Sequence, residues 1–293
     1  MSNVPPMADT GEVQFNVPTE ERRGSMSSDA IARFAEVTFD RDPAYAQGLA
    51  TPPLASALLV LPSLGGVLEG RVGPGVIERT TGPHGEHDAV IHAPILPDQE
   101  VVWDAELVSI STNPAGVLVT ARLVVRTPEG MPLVTHLWST IYPGGSTTIT
   151  GGETLPDHRF PESARANLLG SETLFIPEDH GEAYFEASGD GAPHSRSLEA
   201  AQAEGHPGMI LQGMGSLGIV TAAVARLAAE GDSRRITRLA VRFSAPVLLG
   251  HDFTVSIYEV GHTNDGLLEI AFEATQGERL CLSHGRATVA PAT

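Results

Sequence analysis

The stretch from Tyr184 to Val220, YFEASGDGAPHSRSLEAAQAEGHPGMILQGMGSLGIV, limits what the rest of the chain can be. It places one Asp, two His, four Ser and seven Gly in a turn-rich passage that runs straight into an apolar helix, expected over Gly215 to Leu227. An acid beside hydrogen-bonding side chains at a helix entrance is what activating a water or moving a proton requires. A Gly-rich loop leading into a capped helix has the same local pattern, so the flanking segments must decide between the two.

Charge narrows the partners. With 36 acidic against 18 basic residues, a net charge of -18, the chain lacks the clustered Lys and Arg that phosphate backbones need. Docking on anionic lipid is disfavoured for the same reason. An anionic substrate would have to gather scarce arginines locally, and Arg196, Arg235, Arg238 and Arg242 are the candidates, although solvated surface roles fit each of them. Cys281 is the only cysteine, which rules out an internal disulfide and reads as a small buried hydrophobe. LASALLVLPSLGGVL is too short to span a bilayer and is interrupted by Pro62. The N-terminus has no basic region followed by an apolar one, so a cytoplasmic protein is expected.

Residues 1–24 are Pro-, Glu- and Thr-rich and read as a flexible arm. Ser27, Ser28 and Asp29 offer a helix cap in front of an apolar face made by Ile31, Phe34, Ala35 and Val37. A buried helix follows over 54–68, bent or ended near Pro62. From Gly75 to Tyr142 the pattern becomes strands: AVIHAPIL, VVWDAELVSIS, GVLVTARLVVRT and PLVTHLWSTIY, separated by turn residues and short enough to pair antiparallel. Residues 144–170 are Gly-, Pro- and Ser-rich and read as a linker. After it the order of helix and strands repeats, which points to a duplicated unit. The expected fold is therefore α+β, a double hot-dog in which each half wraps an antiparallel sheet around one helix. Its N-terminal half would span 25–143 and its C-terminal half 171–293.

Ser188-Gly189-Asp190, then Pro193 and His194, then Gly205 and Ile210-Leu211-Gln212-Gly213-Met214, together resemble the hydratase motif of the MaoC-like family. That family includes the R-specific, type 2 enoyl-CoA hydratases. LAVRFSAPVLLGHDFTVSIYEV, residues 239–260, is similar to the family's closing strand pair, and HGEHDAVIHAPILPDQEVVWDAELVSI resembles the first half of its two-domain members. In those relatives the first half encloses the acyl chain and the second carries the chemistry. The resemblance implies a hydro-lyase acting on an enoyl or 3-hydroxyacyl thioester, carried by CoA or by a carrier protein. It calls for no cofactor and no metal, and it is compatible with a homodimer.

Carried over residue by residue, the resemblance makes Asp190 the acid. Gly213, at the head of the apolar helix, becomes the donor to the thioester oxygen, since a helix N-terminus offers unpaired amides and a favourable dipole. The family's His falls on Ser195, and the histidine present here, His194, stands one residue earlier. Ala192 replaces an Asn and Gln212 a His. Substrate contacts are implied for Ala192, Gln212, Met214 and Ser216. A hydroxyl cannot act as a general base without a partner. The alternatives are thus a locally reshaped loop that brings in His194, a scaffold re-used as an isomerase or cyclase on a polyketide-like intermediate, or a non-catalytic acyl-binding subunit. His84, His87 and His92 are spaced suggestively, but no Cys or acidic set completes a metal site, and they read as surface histidines of an edge loop. GMGSLG does not follow a strand, so it is not a dinucleotide loop.

Overall fold

The structure is a computed structural model and describes residues 13–71 and 82–292, without the side chains of 46 and 65–71. The first 12 residues of the expected arm, and residues 75–81 of the expected strand region, lie outside the described residues. One antiparallel sheet organises the fold. Its first half contains β1 (Arg22–Gly24), β2 (His84–Ile91), β3 (Val101–Asn113), β4 (Gly116–Arg126) and β5 (Pro132–Pro143), with the two-residue β6 (Gly151–Gly152) paired to β3. The second half contains β7 (Leu168–Ile176), β8 (Ile236–Phe243), β9 (His251–His262), β10 (Leu268–Gln276) and β11 (Arg279–Val289).

The spatial order β1-β3-β4-β5-β2 is followed by β8-β11-β10-β9-β7. Each half therefore lays out its first, third, fourth, fifth and second strands in that order, and the two second strands join the halves. The long helix α3 (Ala57–Arg71) lies between the first and second strands of one half, and α6 (Gly213–Ala228) occupies the same place in the other. The repeated order read from sequence is thus a repeated topology. β2 and β8 pair antiparallel from Glu86 opposite Arg242 to Val90 opposite Arg238.

Alternation explains the strands. On β3 and β4 the inward residues Ala105, Leu107, Ala121 and Leu123 are fully buried, while Glu106 and Arg122 face each other on the outside at 2.8 Å. Helix α6 is apolar on every side because it is covered on every side: Met214 through Ala225 are all buried. The sheet lies along part of it, and α1 (Ser28–Val37) closes another part together with α4 (His180–Ser188). Helix α1 has the Ser27 cap that the sequence implies, with the hydroxyl accepting from the Ala30 N–H at 3.2 Å, and buries Ile31, Phe34, Ala35 and Val37. Residues of the first half thus staple the second. His180 meets the Val37 carbonyl at 2.8 Å, Arg226 donates to the Phe39 carbonyl at 2.8 Å, and Ser233 donates to Asp42.

Two segments differ from the sequence reading. Residues 13–24 lie along β3, with the Asn16 and Thr19 amides bonded to the Leu107 and Ala105 carbonyls and 22–24 paired as β1, because the outer strand of this half offers unpaired backbone groups. The first strand of the middle region is His84–Ile91 rather than 89–96, because the polar run HGEHD is pinned between β5 and β8. The four arginines considered for an anionic substrate are all engaged: Arg196 with Glu182, Arg235 with Glu230, Arg238 with Asp88 and Arg242 with Glu86. Among the described residues no helix is long and apolar enough to cross a membrane.

Close approach at Gly218 supplies a test. A methyl group there would stand 2.4 Å from Thr38 Cγ2. Thr38 cannot swing away, because its hydroxyl is tied to the Phe34 carbonyl at 2.8 Å. Gly218→Ala is expected to cost about 1–3 kcal/mol in urea unfolding. Adding Thr38→Ser, which removes the obstructing methyl and keeps the hydroxyl, should recover most of that loss.

Candidate functional site

Local structure around Asp190 follows from its glycines and serines. Helix α4 ends at Gly189, which takes φ 74° and donates to the Phe185 carbonyl at 2.7 Å, a left-handed cap that glycine adopts without strain. The Ser188 hydroxyl donates to the Tyr184 carbonyl at 2.6 Å and accepts from the Asp190 N–H at 3.1 Å. Asp190 is half-buried as a result. Burial pushes its carboxyl above the ordinary range, while a backbone hydrogen bond at Ala192 and the nearby His194 pull it the other way. Tyr184, fully buried beneath it, is held protonated by burial and by the Asp190 charge.

The next turn settles the orientation of the neighbouring residues. Pro193–Ser195 form one turn of 3-10 helix entered from Ala192. It drives Ser195 inward, 1% exposed, and its Oγ finds no hydrogen-bond partner among the described residues. His194 points the other way, and its Nδ1 meets Glu204 at 2.8 Å. His206 completes a partly exposed trio in which His194, Glu204 and His206 bring one potential ligand atom each within 4.8 Å of one another. A third constraint is Gln212, 2% exposed, whose Nε2 donates to the carbonyls of Asp190 (2.9 Å) and Gly181 (3.2 Å). This ties the Asp190 loop to the head of α6. Its Oε1 has no partner among the described residues.

Gly181 has no room for a side chain, since a methyl there would fall 2.0 Å from the Ser195 carbonyl oxygen. Ser195 and Gln212 thus border the same glycine, and each leaves a buried polar atom unpaired, a condition that costs on the order of 1–3 kcal/mol per group. Gln212 is the N-cap of α6 yet makes no side-chain cap, so the helix begins at Gly213 without one. Met214 is buried, and the Ser216 hydroxyl turns back to the Gln212 carbonyl at 3.3 Å. Asp190, Gln212, Gly213 and Ser195 therefore come together around the start of α6, whereas His194 faces Glu204.

Sequence reasoning missed what lies on the other side of Gly213. A methyl on Gly213 would stand 3.3 Å from His84 Nδ1. His84 stacks on Trp138 with ring centres 3.8 Å apart, and its Nε2 meets His87 Nδ1 at 3.3 Å. His87 Nε2 meets His136 Nδ1 at 3.0 Å, and His136 Nε2 meets the Ser56 hydroxyl at 2.9 Å. His87 and His136 are wholly inaccessible; His84 retains some surface although its ring is packed against Trp138 and Phe243. Alternation along PLVTHLWSTIY, with Val134, His136 and Trp138 on one face, was the available signal for His136. No pattern marks the rest. Residues three apart on a strand point to opposite faces, and His84 joins His87 only because the register slips at Gly85.

Burial pushes all three imidazoles down: His84 to about 3, against an opposing backbone bond with Glu86; His136 to about 4; His87 well below its ordinary value. They stay neutral in the fold but protonate in the unfolded chain near the ordinary 6.5. Between those values the unfolded state binds more protons, so stability is full above 6.5 and falls as the pH drops, by up to about 1.4 kcal/mol per pH unit for each ring. Urea unfolding between pH 7 and 5 should show this slope, and His136→Gln should reduce it by about one proton.

No curated protein sequence matches the chain. Among solved structures, the MaoC-like dehydratase of Phytophthora capsici aligns with TM-score 0.79 at 18% identity, over 95% of this chain and 98% of that one. The peroxisomal multifunctional enzyme type 2 of Drosophila melanogaster aligns with TM-score 0.71 at 18% identity, over 92% of this chain and 48% of that one, so this chain spans about half its length. A Mycobacterium tuberculosis protein described as having a double hotdog fold aligns with TM-score 0.56 at 11% identity, over 96% of each chain. At these identities the likeness is one of fold, and the fold is the double hot-dog. Residues 161–279 match the MaoC like domain, a family that includes hydratase and dehydratase enzymes. The C-terminal half of this chain, with Asp190 and the head of α6 inside it, is a MaoC-like domain.

Proposed function

We propose that the chain is a hydro-lyase that adds water to, or removes it from, an enoyl or 3-hydroxyacyl thioester at the head of α6. The observation that carries this reading is Asp190, a half-buried residue whose carboxyl has a raised pKa and whose backbone carbonyl accepts from Gln212, the residue just before the glycine that starts the helix. A carboxyl lifted toward the working pH both takes and gives a proton readily. In hydration Asp190 removes a proton from water as its oxygen bonds to C3. The π electrons of the C2–C3 bond move toward the thioester, whose oxygen lies at the Gly213 amide. Asp190 then returns the proton to C2, and dehydration runs the same steps backwards. Ser195 Oγ and Gln212 Oε1, buried and unpaired, supply one donor and acceptor and one further acceptor to hold the water.

This assignment gives His194 no chemical step, because its Nδ1 is engaged by Glu204. The first half of the chain is read as the acyl-binding, non-catalytic half, and the thioester is carried by CoA or by a carrier protein. The replacements at Ala192, Ser195 and Gln212 also fit a second reading, in which the same acid and helix-end donor isomerise or cyclise a polyketide-like thioester without adding water.

Hydration of crotonyl-CoA, followed by loss of the enoyl-thioester absorbance, tests the first reading. Asp190→Asn is expected to lower kcat about a hundredfold to ten-thousandfold while the fold persists. The acid limb of the kcat/KM profile should fall above the ordinary aspartate range, in line with the raised pKa. A wild-type protein that binds crotonyl-CoA but never hydrates it would overturn the hydratase reading.

A further inference from the structure

The histidine chain joins the starts of the two long helices. Ser56 immediately precedes α3, and His84 Nδ1 faces Gly213 at the start of α6, 3.3 Å from where a side chain there would begin; His136 of β5 and His87 of β2 link them across the middle of the sheet. A neutral imidazole carries one proton, on one nitrogen, and accepts at the other. Three neutral rings in series therefore have two consistent arrangements only, with every proton pointing toward α6 or every proton pointing toward α3.

Ser56 selects between them. Ser56 is 1% exposed, and among the described residues the bonding partner of its hydroxyl is His136 Nε2. If His136 donated, the Ser56 hydroxyl proton would be buried without an acceptor, at the cost of an unpaired group. If Ser56 donates, Ser56, His136 and His87 each give their proton to the next member, and only the Nδ1–H of His84, with the Glu86 backbone beside it, is left to serve a group at the head of α6. His136, His87 and His84 then each carry their proton on Nδ1, and the last of these N–H groups is at the head of α6.

We propose that His84 donates a hydrogen bond from Nδ1 to the thioester carbonyl oxygen of a substrate bound at the head of α6, beside the Gly213 amide, with Ser56 fixing that donor through His136 and His87. The inference rests on the reading of the site as one that acts on an acyl thioester. His84 is thus a catalytic residue, and Ser56, His136 and His87 are positioning residues. A neutral imidazole suits the role because it donates without bringing a cation to the site. No proton leaves the histidine chain during the reaction, so the step needs no proton acceptor. Stacking of His84 on Trp138 and packing against Phe243 hold the ring in place, and a preorganised donor is what an oxyanion site requires.

The test combines nitrogen-15 NMR of the histidines with crotonyl-CoA kinetics on the full chain. The wild-type protein should show the Nδ1–H tautomer at His84, His87 and His136, and the His84 Nδ1–H resonance should shift when crotonyl-CoA is added. Ser56→Ala removes the terminal donor with a minimal change of volume. It should leave the three rings without a single fixed tautomer and lower kcat about tenfold with KM little changed. His84→Phe, which preserves the stack on Trp138, should lower kcat by about a hundredfold. An Nε2–H tautomer at His84 in the wild type would overturn the inference. So would a His84 resonance indifferent to crotonyl-CoA, or full activity in His84→Phe. If the wild type shows the expected tautomers and the ligand shift but no hydration, the hydratase reading fails while the donor role of His84 stands. Should His84→Phe not fold, Ser56→Ala and the wild-type spectra decide alone.

Discussion

The antiparallel pairing of β2 with β8 is the interaction on which the rest depends. Without it each half would end in an exposed row of unpaired backbone groups. With it the two curved sheets become one, and both faces of the junction are used. The outer face carries Glu86 with Arg242 and Asp88 with Arg238 as cross-half ion pairs. The inner face carries His87, with His84 added by the slip at Gly85. Because β2 is shared in this way, a residue of the first half reaches the first residue of the second half's central helix. The candidate site therefore belongs to the junction as much as to the MaoC-like domain.

Much of the fold was legible because it is written in local periodicity. The strands of both halves and the helix behind Ser27 follow from alternation, turn residues and a cap. Helix α6 was legible for the opposite reason, an apolar surface on every side. What escaped was set by long-range pairing. HGEHD is polar and reads as an edge loop, yet it forms the first five residues of the central strand β2, because its carboxylates find arginines on β8 and its histidines find one another. The same holds for residues 13–24, whose order is supplied by the outer edge of β3.

The site divides along the same line. Asp190 could be found because a Gly-rich turn before an apolar helix is a local signal. Which of His194 and Ser195 turns inward could not, because adjacent residues in one turn of 3-10 helix point in different directions, and the tie from His194 to Glu204 spans the short helix α5 (Leu198–Ala203). The histidine chain lay further out of reach. It draws on Ser56, β2 and β5, and one of its members faces inward only through a register slip that no residue pattern announces.

Electrostatics gives these pieces a common sense. The chain has twice as many acids as bases, and the arginines near the junction are already committed to carboxylates. A cation beside Asp190 would hold its carboxyl ionised and weaken it as a proton carrier. The groups placed instead around the head of α6 are neutral: backbone amides, a glutamine amide, a serine hydroxyl and an imidazole kept uncharged by burial. Neutral donors stabilise charge that develops on a substrate oxygen while leaving the raised pKa of Asp190 in place. In the proposed reaction Asp190 gives back the proton it takes, which needs such surroundings, and an acidic chain supplies them without drawing on its few arginines.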